Sequence, residues 1–113
     1  MAMSTVYETV EPKRVEVEAI AGISVLEFGT SWCGHCRAAQ PLLQAALSNR
    51  PALRHLKVAD GPGQPLGRSY RVTLWPTLVF LRDGREAARL VRPTSVAAIQ
   101  QVLDRVESDR RET

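Results

Sequence analysis

Between Ile23 and Leu47 the hydrophobic period of the chain changes once, and both of its cysteines stand at the change. Ile23 to Phe28 (ISVLEF) is β-rich and almost continuously apolar, the pattern of a strand covered on both faces. From Cys33 to Ser48 the apolar residues recur at helical spacing, with Ala38, Ala39, Leu42, Leu43, Ala46 and Leu47 on one broad face. Pro41 falls inside that pattern, where its ring and missing N–H should kink the helix.

The rest of the chain supplies partners for this unit. His55 to Ala59 (HLKVA) reads as a second strand. Gly61 to Gly67 (GPGQPLG) lacks the spacing of a dinucleotide loop, and its two prolines remove backbone donors that a phosphate would need, so it reads as a loop leading into a short helix through Tyr70. Thr77 to Arg82 and Glu86 to Val91 flank Asp83-Gly84, a hairpin signature. Ile99, Val102, Leu103 and Val106 place a closing helix from about Ser95. That order of elements implies a single α/β domain over residues 1–113, a mixed sheet with helices on both faces. Residues 1–22 are the least readable. Tyr7 to Val10 suits a short edge strand, and Pro12 suits the first turn of a helix running to about Ala21 and closed by Gly22, although Arg14 to Glu18 (RVEVE) also alternates like a strand. The polar tail, residues 107–113, is expected to fray.

At 113 residues with 44% hydrophobic side chains, one sizeable core is expected. The opening MAMSTVYETV has neither a basic region nor an apolar run, so no secretory leader is expected, and a cytoplasmic location follows as the expectation. No apolar stretch approaches the roughly 20 residues of a membrane span. The net charge of +3 is uneven: residues 1–36 carry five Glu against Lys13 and Arg14, and the remainder carries 13 basic against seven acidic side chains. No basic run is interleaved with aromatics, which argues against nucleic acid as a partner.

Cys33 and Cys36 have three possible uses. A zinc clip needs four ligands, and beside the cysteines only His35 and His55 are on offer, with His35 wedged between the pair. A structural disulfide here would close too short a loop to stabilise much. For redox exchange the spacing fits: one helical turn brings both sulfurs to the same side. Cys33 at the helix start would be favoured as a thiolate by unpaired amides and the positive dipole end, and Cys36, one turn in, would be more buried. Cys33 would then attack a substrate disulfide and Cys36 would resolve the mixed disulfide.

Trp32-Cys33-Gly34-His35-Cys36 after a buried strand, Trp75-Pro76-Thr77, and the Arg82-Asp83-Gly84-Arg85 hairpin together resemble the thioredoxin family, from about Ile23 to Val106. The resemblance implies a thioredoxin-like fold, a cis Pro76 beside the cysteines, backbone groups of residue 75 that pair with a substrate strand, and the helix proline at Pro41. It implies a thiol–disulfide oxidoreductase that needs no cofactor beyond the Cys33–Cys36 pair. Its partners would be protein disulfides and an electron donor such as a thioredoxin reductase or a small thiol. A monomer with no nucleic-acid or membrane partner is expected. Trp32 and Gly34, flanking Cys33, belong to the substrate-binding set implied in this way.

Within that resemblance several positions are distinctive. Glu27 is either an exposed strand-end carboxylate or a desolvated one with a raised pKa that takes the proton of Cys36; thioredoxins place Asp there and protein disulfide isomerase domains Glu. Lys57 aligns with a lysine that both pair with this carboxyl, or is a solvated strand lysine. His35 is the isomerase choice, and a partly charged imidazole there would stabilise the Cys33 thiolate and make the disulfide a stronger oxidant; otherwise it is a solvated helix residue. Trp75 departs from both groups and either shapes the groove or packs inward. Arg92 stands where thioredoxin has a groove-lining Gly, and Gly29 replaces a bulky aromatic. The motif leaves direction open, with the reducing direction favoured in the cytosol. The alternative, motivated by Trp75 and Arg92, is a redox-switched partner-binding module with little turnover of its own.

Overall fold

The computed structural model describes residues 6–8 and 10–112, with side chains through residue 108. The elements are α1 (Arg14–Glu18), β1 (Ile23–Gly29), α2 (Gly34–Leu47), β2 (Arg54–Ala59), α3 (Pro65–Ser69), β3 (Thr77–Arg82), β4 (Arg85–Val91) and α4 (Val96–Glu112). The sheet order is β2-β1-β3-β4, with β1 parallel to β2 and antiparallel to β3, and β4 antiparallel to β3. β1 is thus an inner strand, and Ser24 to Gly29 are all buried.

Alternation along β1 splits its side chains between two cores. Val25 joins Leu43, Leu47, Phe80, Ile99 and Leu103 beneath α2 and α4. Leu26 and Phe28 pack on the other face with Val17 of α1 and Leu66 and Tyr70 from the α3 region. Helices therefore cover both faces, as the order of elements implies. By the same alternation Glu27 lies on the α2 face. The parallel register sets it opposite Lys57, with His55 opposite Val25, so all four side chains share that face.

α2 buries a narrower stripe than expected. Cys36, Ala39, Leu43, Ala46 and Leu47 are buried, a spacing of three and four, while Ala38 is exposed and Leu42 only partly covered. RVEVE is helical rather than extended, but α1 is a short turn and stops well before Ala21. Val17 is its only buried residue, Val15 faces solvent, and the Lys13 amide donates to Glu16 Oε1 at 2.8 Å across the first turn. The expected edge strand at Tyr7–Val10 reduces to one parallel bridge between Glu8 and Val58, held by Glu8 N to Lys57 O (2.7 Å) and Ala59 N to Glu8 O (2.9 Å); Thr9 lies outside the described residues.

Asp83 (φ 50°) and Gly84 (φ 82°) form the two-residue turn between β3 and β4. A side chain at Gly84 would collide with the carbonyl of Glu18, so the hairpin tip lies directly on the end of α1. Ser95 Oγ accepts from Ala98 N at 3.1 Å, starting the last helix where the sequence places it. That helix extends to Glu112; Val106 is buried and Arg50 pairs with both Asp104 and Glu107, and Thr113 lies outside the described residues.

Candidate active site

Cys33 is the N-cap of α2, with extended backbone (φ −78°, ψ 123°), and its sulfur accepts from the amide of Cys36 at 3.3 Å. It is half-buried, whereas Cys36 is 1% exposed. Burial alone would push the Cys33 thiol up. Hydrogen bonds from the Cys36 side chain and from the amides of Cys36 and His35, with the charge of Arg92, bring it below the ordinary thiol value. Burial and the hydrogen bond to Cys33 push Cys36 up to about 11, against smaller opposing contacts from the Thr30 backbone and the Tyr7 hydroxyl. The pair is therefore electronically asymmetric. His35 acts on the sulfur through its backbone N–H, and its imidazole side is exposed.

Glu27 is fully buried, so it is not a solvated strand end. Oε2 accepts from Tyr7 Oη at 2.6 Å and from Gln40 Nε2 at 2.9 Å, and Oε1 lies 2.9 Å from His55 Nε2, which donates because a carboxylate can only accept. Burial raises the carboxyl pKa, but these donors outweigh it and hold the group below the usual carboxylate range. This corrects the expectation of a raised value: desolvation is present, and three hydrogen bonds to the charged form overcome it. Lys57 is likewise buried rather than solvated, but it reaches the carboxylate indirectly. Its Nζ donates to Gln40 Oε1 at 2.5 Å and sits 4.4 Å above the Tyr7 ring.

The wall of the site is built on β3 and β4. The Trp75–Pro76 bond is cis. Trp75 is half-buried and neither packs into the core nor stands free: Nε1 donates to Asp60 Oδ2 at 2.8 Å, and the ring meets the exposed Trp32 edge-on, centroids 5.6 Å apart. Arg92, at φ 51°, donates from its amide to Pro76 O (2.9 Å) and from Nε to Trp75 O (2.8 Å). Gly34, the first residue of α2, has open space where a side chain would stand. A cleft of about 740 Å³ runs past Cys36 between Tyr7, Trp32, Lys57, Asp60 and Trp75.

Gly29 leaves room that other groups occupy. A Cβ there would lie 2.5 Å from Cys36 Sγ and 2.8 Å from Tyr7 Oη. Tyr7, Gln40, the His55–Glu27 contact and Asp60 are absent from the sequence reading of the site. Gln40 was signalled by its place one helical turn after Cys36, and His55 by sharing the face of Lys57; nothing near Tyr7 in sequence points to Glu27. Among the described residues no cluster of three or more His, Cys, Asp or Glu could hold a metal ion, and the four candidate zinc ligands do not converge.

The thioredoxin family model matches residues 5–105. The chain belongs to the thioredoxin family. Members of the family are thiol–disulfide oxidoreductases, and the asymmetric pair at the start of α2 supplies the two sulfurs for that chemistry. The fold is similar to thioredoxin 2 of Pseudomonas aeruginosa in its reduced form, at 52% identity and a TM-score of 0.84 over 95% of this chain and 99% of that one. Protein disulfide-isomerase A2 of Pongo abelii is 42% identical over 64 residues, 53% of this chain but only 12% of that protein. Thioredoxin of Chlamydia trachomatis is 32% identical over 71 residues, 63% of this chain and 70% of that protein.

Proposed function

We propose that this thioredoxin-family domain reduces protein disulfides in the cytosol, with Cys33 as nucleophile and Cys36 as resolving thiol. The observation that carries the reading is the asymmetry of the two sulfurs. Cys33 is half-exposed, lowered, and placed at a helix start beside the cis Trp75–Pro76 bond; Cys36 is buried and keeps its proton. Electrons come from a thioredoxin reductase or a small thiol, and the domain works as a monomer. The reducing direction is supported by the likeness to a thioredoxin 2 across nearly the whole chain, and it follows the poise of a reducing compartment. Protein substrates lie along the cleft past Cys36 that Trp32 and Trp75 line, and those with acidic residues near the disulfide are favoured by Arg92.

Turnover of insulin disulfides with dithiothreitol tests this. The wild-type protein should accelerate the reduction, Cys33→Ser should abolish it, and Cys36→Ser should accumulate a mixed disulfide. A wild-type protein that forms the mixed disulfide but does not turn over supports the second reading, a redox-switched binding module. That alternative is favoured by the exposed Trp32 edge against Trp75 with Arg92 beside it, since Trp and Arg are preferred interface anchors.

A further inference from the structure

We propose that the Tyr7 hydroxyl carries the proton from the Cys36 thiol to the Glu27 carboxylate when Cys36 resolves the mixed disulfide. The inference rests on the exchange chemistry above and adds a residue to it. The Tyr7 hydroxyl donates to Glu27 Oε2 at 2.6 Å, and on its other side it neighbours the Cys36 thiol closely enough to act on its pKa. Both Tyr7 Oη and Cys36 Sγ border the small space left by Gly29, where a Cβ would lie 2.8 Å from the one and 2.5 Å from the other. The ring is held in place by the Lys57 ammonium above it and by the Glu8 bridge next to it in the chain.

The chemistry of each group fits its place in the line. Glu27 is ionised and can only accept, so the single hydroxyl hydrogen of Tyr7 points to it and the oxygen lone pairs are left for the thiol. Burial and the neighbouring carboxylate raise the Tyr7 pKa, so a tyrosinate does not accumulate and the residue must give up its own proton as it takes another. Cys36 at about 11 keeps its proton at neutral pH, and the attack on Cys33 requires that proton to leave. In the reduced pair the Cys36 S–H is engaged by the Cys33 thiolate. Once Cys33 is bonded to a substrate sulfur that acceptor is lost, and Tyr7 Oη is the neighbour that remains.

The step balances as follows. The Cys36 S–H bond breaks, its proton passes to Tyr7 Oη, and the former Tyr7 proton passes to Glu27 Oε2. The Cys36 sulfur pair forms the bond to Cys33 Sγ. The Cys33–substrate S–S bond breaks, and its electron pair leaves on the substrate sulfur, which takes a proton from water. The substrate disulfide gains two electrons and the Cys33–Cys36 pair loses two. Glu27, held below the usual carboxylate range, then gives the proton up to solvent and is ionised again in the oxidised pair.

Stopped-flow measurement of the two half-reactions with a fluorescent peptide disulfide tests the proposal, comparing the wild-type protein with Tyr7→Phe from pH 6 to 10. Tyr7→Phe keeps the ring and removes only the oxygen. Formation of the mixed disulfide should stay within about twofold of wild type. Its resolution should slow by about 100-fold or more at pH 7, the lower reach of general acid–base catalysis. The gap should close toward pH 10, as hydroxide takes over removal of the Cys36 proton. Resolution at the wild-type rate at every pH overturns the relay, and so does an equal slowing of both half-reactions at every pH, which marks a packing role. A wild-type protein that never forms the mixed disulfide overturns the exchange reading and the relay with it. A proton inventory on wild-type resolution in mixed light and heavy water needs no variant: a curved plot, two protons in motion, supports the relay, and a straight one overturns it.

Discussion

Replacing Gly29 by alanine places one methyl group at the most crowded point of the active centre. Gly29 closes β1 without a left-handed φ, so alanine suits its backbone and should gain about 0.4–1 kcal/mol through the unfolded chain. Sterics oppose this. The new Cβ would lie 2.5 Å from Cys36 Sγ and 2.8 Å from Tyr7 Oη, roughly 1 Å inside ordinary contact. Neither neighbour yields easily: Cys36 is fixed in the first turn of α2 and hydrogen-bonded to Cys33, and Tyr7 is hydrogen-bonded to Glu27. Overpacking of this kind costs about 1–3 kcal/mol. The two terms leave a net loss of about 1–2 kcal/mol, equivalent to a melting temperature lower by roughly 3–10 °C in a domain of this size. Urea unfolding of the reduced protein reads the first figure and calorimetry the second. Tyr7→Ala in the same chain should recover part of the loss, because it clears one of the two obstructing atoms. A Gly29→Ala protein as stable as wild type, or a double variant whose losses simply add, refutes the reasoning.

Three further outcomes follow from the same geometry. His35→Pro removes an amide that donates to Cys33 at a helix position where proline is tolerated, so the reduction potential should fall by on the order of 30 mV; an unchanged or higher value in a glutathione titration contradicts this. Arg92→Gly should raise the pH midpoint for alkylation of Cys33 and reduce the preference for acidic over basic peptide disulfides, and an unmoved midpoint with an unmoved ratio would sink the assignment. Cys36 is raised from 9.0 to about 11, so its neutral form is favoured by folding. That contribution is present below pH 9 and is lost as the pH rises through 11; the reduced protein should lose stability across that window, and Cys36→Ala should flatten the loss.

Local rules carried the reading of the fold where the chain had strong periodicity or turn chemistry. The strand-to-helix change at Cys33 and the Asp83-Gly84 turn were legible because each rests on neighbours in sequence. The extent of α1 was not, since one buried residue, Val17, decides how much helix is needed. Nor were the ion pairs on α4 legible, since Arg50, far away in the chain, supplies the partner of both Asp104 and Glu107. At the site, alternation along β1 exposed the anomaly of a carboxylate at Glu27 but could not give the direction of its pKa. That direction is fixed by donors from the N-terminal segment, α2 and β2 converging on one group. Lys57 misled in the same way: the residue matched, and Gln40 had come between it and the carboxylate.

The bridge at Glu8 gives the active centre an unusual vulnerability. Two backbone hydrogen bonds to β2 tether the segment that brings the Tyr7 hydroxyl to Cys36 and Glu27. A cleavage after residue 8, a bulky tag fused close to it, or a charge change that loosens the tether would retune the redox pair while leaving every residue of the cysteine motif in place.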